Sequence, residues 1–325
     1  MKDFQQKVLL TGATGFIGGR LLYALSDEGI TVRCLVRPSE RLSTQLAPER
    51  QPEVTHADLL EPDTLPRALE GMHTAYYLVH SMGGRSIRQR KAFADNDRRA
   101  AEGFVAAADK AGLSRIIYLG GLGETGDELS EHLSSRLEVA RILQSGNAKT
   151  TVLRAAIIIG AGGASFEMLR YLVERLPAMM CPRWIETECQ PIALQNAIDY
   201  LMGCLFEPAT AGLTLDIGGP DTLTYRELML LYARIRRLRR FIFTVPVLTP
   251  HLSSYWVNLM TPVPAGIVIP LVEGLKNSVT CRDNRIRDLI PIQLISMEEA
   301  ICTALSETRE GPGKLASRQA CLIRK

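Results

Sequence analysis

Val8-Leu9-Leu10-Thr11-Gly12-Ala13-Thr14-Gly15-Phe16-Ile17-Gly18-Gly19-Arg20 begins as an apolar run, breaks into spaced glycines and continues as a helical pattern. Glycines at 12, 15 and 18 permit a tight turn, close approach of a pyrophosphate to the backbone, and close packing of helix on strand. The helix that follows offers N–H groups and a positive dipole end to phosphates. A glycine triplet by itself is weak evidence. Here it stands between a strand and a helix at the start of a βαβ pattern over 7–36, the context that marks a dinucleotide-binding turn.

The same alternation continues outward from this turn. Strand patterns fall at Lys7–Thr11, Thr31–Val36, Glu53–His56, Thr74–Val79, Arg115–Leu119 and Thr150–Arg154, with helical patterns at Phe16–Glu28, Asp63–Glu70, Lys91–Ala111 and Ser130–Ser145. Gly29, Gly71, Gly112 and Gly146 supply the stops. Strands alternating with longer helices predict a doubly wound parallel-sheet Rossmann fold of the α/β class. After Gly160 proline becomes commoner and helices scatter over Phe166–Leu176, Leu194–Phe206, Tyr225–Arg237 and Met297–Glu307. Two short strand-like pieces, Gln190–Ile192 and Thr214–Ile217, are candidates to rejoin the sheet. The expected organisation is a Rossmann domain over 1–160, a smaller C-terminal lobe over 161–310 of helices with some strand, mixed α/β, for substrate or interaction and interleaved with the first, and a loose tail over 311–325.

Composition limits the other classes. The chain has 325 residues, 46% hydrophobic and 22% charged, enough for a full core and far from a disordered composition. Its 38 Lys+Arg against 35 Asp+Glu leave a net charge of +3, too small to mark a nucleic-acid surface. Seven cysteines without a C-x-x-C pair argue against a zinc site or a complete disulfide framework, and the scattered histidines give no reason to propose a metal. The N-terminal residues carry no secretory pattern, so the expected location is cytoplasmic. The most lipid-like stretch, over 263–272, holds Pro264 and Pro270 and is about half the roughly twenty residues a helical span needs.

The strand over 31–36 runs into Arg37, where an NAD-specific protein usually places an acidic residue for the ribose hydroxyls. Arg33 and Arg41 are near in sequence. An arginine there suits a 2′-phosphate, which favours NADP(H) and leaves NAD(H) open.

The glycine turn, His56-Ala57-Asp58-Leu59 after the third strand, and Leu153-Arg154 leading into Gly160 make the chain resemble the atypical short-chain dehydrogenase/reductases. Tyr77-Leu78-Val79-His80-Ser81-Met82, Tyr118-Leu119-Gly120-Gly121-Leu122-Gly123 and Gly218-Gly219-Pro220-Asp221 narrow this to the bacterial NmrA-like proteins related to the 39 kDa accessory subunit of respiratory complex I. The resemblance runs to about Thr308. It implies an NAD(P)-binding oxidoreductase with Gly12, Ala13, Thr14, Gly15, Phe16 and Ile17 around the pyrophosphate. Arg37 would lie beside the adenosine ribose, Asp58 and Leu59 near the adenine, and His80 with Ser81 beside the nicotinamide ribose. A strand-end histidine satisfied by backbone groups is the bland alternative for His80.

The chain departs from the active members of that family at the catalytic set. They pair a tyrosine with a lysine four residues on, on one helical face, and place a serine at the end of the fifth strand; the lysine lowers the tyrosine pKa. None of the nine tyrosines here has such a lysine; His132 and Arg136 hold the matching positions, and the serine position falls in Gly120-Gly121. Two readings stay open. In one, His132 is the general acid and Arg136 orients cofactor or substrate for hydride transfer from NADPH to an apolar carbonyl, enone or quinone. In the other the site holds a dinucleotide without turnover, in a redox sensor or an assembly factor for a membrane or respiratory complex.

Arg234, Arg236, Arg237, Arg239 and Arg240 crowd a helix end, which reads first as a solvated C-terminus. The alternative, given Phe241-Ile242-Phe243 and Tyr255-Trp256-Val257 beyond it, is a peripheral contact with an anionic membrane or a membrane complex. Nucleic acid is the weaker partner, for lack of interleaved stacking aromatics. Helix 166–176 reads mainly as core and, with Trp184, as a candidate wall for a substrate pocket. The residues do not settle an oligomeric state.

Overall fold

A computed structural model describes residues 6–44, 46–80, 87–123, 131–245 and 278–310, with side chains for all of these except 87–91, 131, 132, 184, 309 and 310. The elements of the first half are β1 (Val8–Thr11), α1 (Phe16–Asp27), β2 (Val32–Val36), β3 (Glu53–His56), α2 (Leu65–Leu69), β4 (Thr74–Tyr77), α3 (Ile87–Ala111), β5 (Arg115–Gly121), α4 (Glu131–Gln144) and β6 (Lys149–Ala155). There follow β7 (Ile158–Ile159), α5 (Ala164–Arg175), β8 (Ala178–Pro182), β9 (Glu188–Cys189), β10 (Ile192–Ala193), α6 (Leu194–Phe206), β11 (Thr214–Ile217), β12 (Leu223–Thr224), α7 (Tyr225–Ile235), β13 (Phe241–Val245), α8 (Arg285–Leu289) and α9 (Met297–Glu310).

Seven strands form one parallel sheet in the order β3-β2-β1-β4-β5-β6-β11. Side-chain alternation divides its core. Val8, Leu10, Cys34, Tyr76 and Ile117 face one cluster, shared with Leu21 and Leu25 of α1 and Ala197 and Leu201 of α6. Leu9, Leu35, Tyr77, Ile116 and Val152 face the opposite cluster, with Phe104 of α3 and Leu143 of α4. Both faces are covered, which is why β1 reads as a continuous apolar run rather than an alternating one.

The pieces from beyond residue 160 divide. Thr214–Ile217 rejoins the sheet beside β6, and α6 packs on α1, with the Tyr76 hydroxyl donating to the Leu201 carbonyl at 2.9 Å. Gln190–Ile192 does not join the sheet. β9 pairs instead with β12, and β10 with β7, because this segment folds back over the carboxyl edge of the sheet. The smaller lobe holds strands as well as helices: β8 and β13 form a parallel two-stranded ribbon packed against α5 and α7. The tail over 311–325 and the apolar stretch over 263–272 lie outside the described residues. Among the described residues no helix is long and apolar enough to cross a membrane.

Candidate functional site

The strand order reverses between β1 and β4, and a crevice opens at their carboxyl ends. The Thr11 hydroxyl pins this point, donating to the Tyr76 carbonyl and accepting from the Leu78 N–H, each at 3.0 Å. Gly12 adopts φ +73°, and a Cβ there would sit 2.7 Å from the Leu78 carbonyl oxygen. At Gly18 a Cβ would fall 2.1 Å from the Gly12 oxygen, so the helix can approach the turn only with glycine. Gly15 caps α1 without any side-chain hydrogen bond, which leaves the first-turn N–H groups for a ligand. These features fit a pyrophosphate.

A cavity of ≈ 520 Å³ extends from this turn into the second lobe. Gly12, Gly15, Phe16, Ile17, His80 and Arg136 all line it, together with Gly120 and Gly121. The far wall comes from Met168 and Leu172 of α5, Leu228 and Met229 of α7, and Val279. Apart from His80, Arg136, Ser165 and Tyr225, the lining side chains are apolar.

The polar end is organised by a residue the sequence did not single out. Asp97 of α3, only 6% exposed, meets His80 with Oδ2 3.1 Å from Nδ1. Burial, reinforced by the Arg136 guanidinium, lowers the His80 pKa to about 4 against the opposing pull of Asp97. The imidazole is therefore neutral at pH 7, and a neutral ring facing a carboxylate must carry its proton on Nδ1. Nε2 is then the basic nitrogen, and such a pair can take up or return a proton. The Tyr118 hydroxyl donates to the Arg136 carbonyl at 3.3 Å, but this tyrosine is sealed in the core and burial pushes its pKa up to about 12.

Other predicted residues are placed apart from this cavity. Ala13 and Leu59 are core residues, 3% and 5% exposed. Asp58 folds its carboxylate back to accept the Leu60 N–H at 2.9 Å. Arg37 is exposed at the tip of β2 and pairs with Glu40, which also accepts from the Thr14 hydroxyl at 3.3 Å. Arg33, in contrast, is committed to structure: it forms an ion pair with Glu53 at 2.9 Å and donates to the Ala68 and Glu70 carbonyls at the end of α2. Ser81 and the side chains of His132 and Trp184 lie outside the described residues. Asp97 could not be read from a motif, because its partner is seventeen positions away on another element.

Residues 12–158 match the family model described as NAD(P)H-binding. Over this stretch the chain is similar to NAD(P)H-binding domains. A 3 beta-hydroxysteroid dehydrogenase/Delta 5-->4-isomerase of Mycobacterium tuberculosis is 30% identical over 118 residues, which span 34% of this chain and only 30% of that protein. A ceramide reductase of Caulobacter vibrioides is 28% identical over 230 residues, 70% of this chain and 69% of the other. Among solved structures, a nucleoside-diphosphate-sugar epimerase from Staphylococcus aureus superposes with TM-score 0.72 over 91% of this chain and 99% of its own, at 16% identity. That likeness establishes the fold, and the resemblance to the atypical short-chain dehydrogenase/reductases is consistent with it.

Proposed function

We infer that the chain is an NADPH-preferring oxidoreductase for an apolar carbonyl, enone or quinone. The observation that carries this is the apolar cavity running from the glycine turn, with its polar groups gathered at one end. Its volume falls in the range of about 300–1,000 Å³ usual for small-molecule sites. The match to a protein named a ceramide reductase supports a long-chain substrate over a sugar nucleotide, and so does the wall of methionines and leucines.

NAD(P)H, when bound, supplies a hydride. The chain's own residues supply orientation and charge. Gly12, Gly15 and the α1 N-terminus hold the pyrophosphate, and Arg136 stabilises negative charge developing on a carbonyl oxygen. As that charge develops it raises the proton affinity of the imidazole, so Nε2 can take a proton from water and pass it to the oxygen while Asp97 holds Nδ1–H. His80 thereby takes the role first expected of His132. The preference for NADPH rests on Arg37 at the tip of β2.

Stopped-flow NADPH oxidation with long-chain ketones, enones and quinones tests the reading. Turnover that falls at least a hundredfold in H80Q and R136L, with NADPH affinity kept within a few-fold, supports it. Tight NADPH binding without turnover of any of these compounds favours a cofactor-bound sensor or assembly factor instead. For the cofactor, NADPH should bind more tightly than NADH. E40Q, by releasing Arg37, should widen that gap by about fivefold, and tighter binding of NADH to the wild type would reject the preference.

A further inference from the structure

Along the β8/β13 ribbon, Phe241 lies opposite Ala178 and Phe243 opposite Met180. Alternation sends Met179 and Ile242 inward, 2% and 7% exposed, into a cluster with the cavity residues Met168, Leu172, Tyr225 and Val279. The same alternation sends Met180, Phe241 and Phe243 outward at 70%, 62% and 56% exposure. Of the six large hydrophobic side chains exposed among the described residues, three share this one face. Single exposed apolar residues are ordinary, whereas a contiguous group marks a contact surface.

Cations bracket the stripe. Exposed Arg239 stands just before β13, two residues after exposed Arg237, and exposed Arg183 follows β8 at the other end. Because the strands are parallel, these arginines lie at opposite ends of the apolar face. Arg234 and Arg236, in contrast, are paired with Glu298 and Glu174. Glu186, which follows β8 beyond Arg183, is paired with Arg226 at 2.8 Å.

We propose that the outer face of the β8/β13 ribbon docks on an anionic lipid bilayer. Phe241, Phe243 and Met180 enter the headgroup boundary, and the flanking arginines meet lipid phosphates, the pattern that gives reversible interfacial binding. The ribbon is one strand layer thick between this face and the cluster that walls the cavity. A membrane-dissolved molecule thus meets the protein on the side nearest its apolar chamber, a consequence that rests on the function proposed above. The docking itself rests on the surface alone.

Sedimentation of the full chain with vesicles of phosphatidylcholine, and of phosphatidylcholine mixed with phosphatidylglycerol, tests the proposal. Binding is expected to the mixed vesicles at low salt, to weaken at high salt, and to resist competition by soluble glycerophosphate. F241S/F243S should abolish it, and R237Q/R239Q should lower partitioning about fivefold per arginine. Both variants should keep the wild-type thermal midpoint and NADPH affinity, because these side chains point to solvent and away from the cavity. Failure to sediment with anionic vesicles at low salt overturns the proposal, as does unchanged binding in F241S/F243S. So does a concentration-dependent dimer that F241S/F243S abolishes in a chain that ignores vesicles, since the face would then belong to a second copy.

Discussion

His80 and Gly18 show how much a single position in this chain can control. His80 is neutral when folded because burial and Arg136 disfavour its charged form, whereas in the unfolded chain it titrates near 6.5. Between these values the unfolded state binds the extra proton. The stability His80 contributes is therefore complete above pH 6.5 and is lost as pH falls toward 4, by up to about 3 kcal/mol. Urea denaturation at pH 7 and pH 4.5 should show this loss in the wild type and a clearly smaller one in H80Q. At Gly18, a methyl group driven into the Gly12 carbonyl must separate α1 from the turn. G18A should raise the NADPH Kd more than tenfold, by fluorescence titration, and lower stability by about 2 kcal/mol or more. The glycine was legible in the sequence because its spacing serves a local turn. Asp97 was not, because its role exists only once α3 is laid against β4.

At the scale of elements, β11 does more than extend the sheet. Asp216 has a fully buried carboxylate that takes Arg154 of β6 at 2.6 Å and accepts the N–H groups of Arg282 and Asp283 at 3.0 and 3.2 Å. One side chain thus joins the sheet edge to the segment that carries Val279 into the cavity wall. D216A should cost about 3–5 kcal/mol in chemical denaturation, since it strands partners that were desolvated for it. R154L should cost less, because Arg154 is a quarter exposed and the two N–H bonds survive. The long periodic elements were readable to within a few residues, as at Leu194–Phe206. β7, β9, β10 and β12 were not, since two-residue strands carry no period. β8 and β13 escaped because a ribbon with one exposed apolar face lacks the polar alternation that announces a half-buried strand.

For the whole molecule, the first half is recognisable from its repeating strand and helix pattern, while the sheet is completed by residues that follow a different rhythm. Thr214–Ile217 could be nominated as a strand, but its place beside β6 depends on α6 crossing the face of α1, which no local pattern encodes. The cavity likewise borrows one wall from each half, so its apolar character emerges only on assembly.

This interleaving has a consequence for synthesis on the ribosome. When residue 160 emerges, β6 has a bare edge and α1 an uncovered apolar face; α1 must wait until α6 is complete at Phe206, and β6 until β11 begins at Thr214. Contacts of such sequence separation form slowly, and unpaired edges meanwhile invite association between nascent chains. A gene truncated after residue 160 should yield aggregated protein, whereas one carried through α9 should yield soluble chain, as fractionation after expression would show. The dinucleotide turn, although complete by residue 20, would in that case become functional only after α6 and β11 have been made.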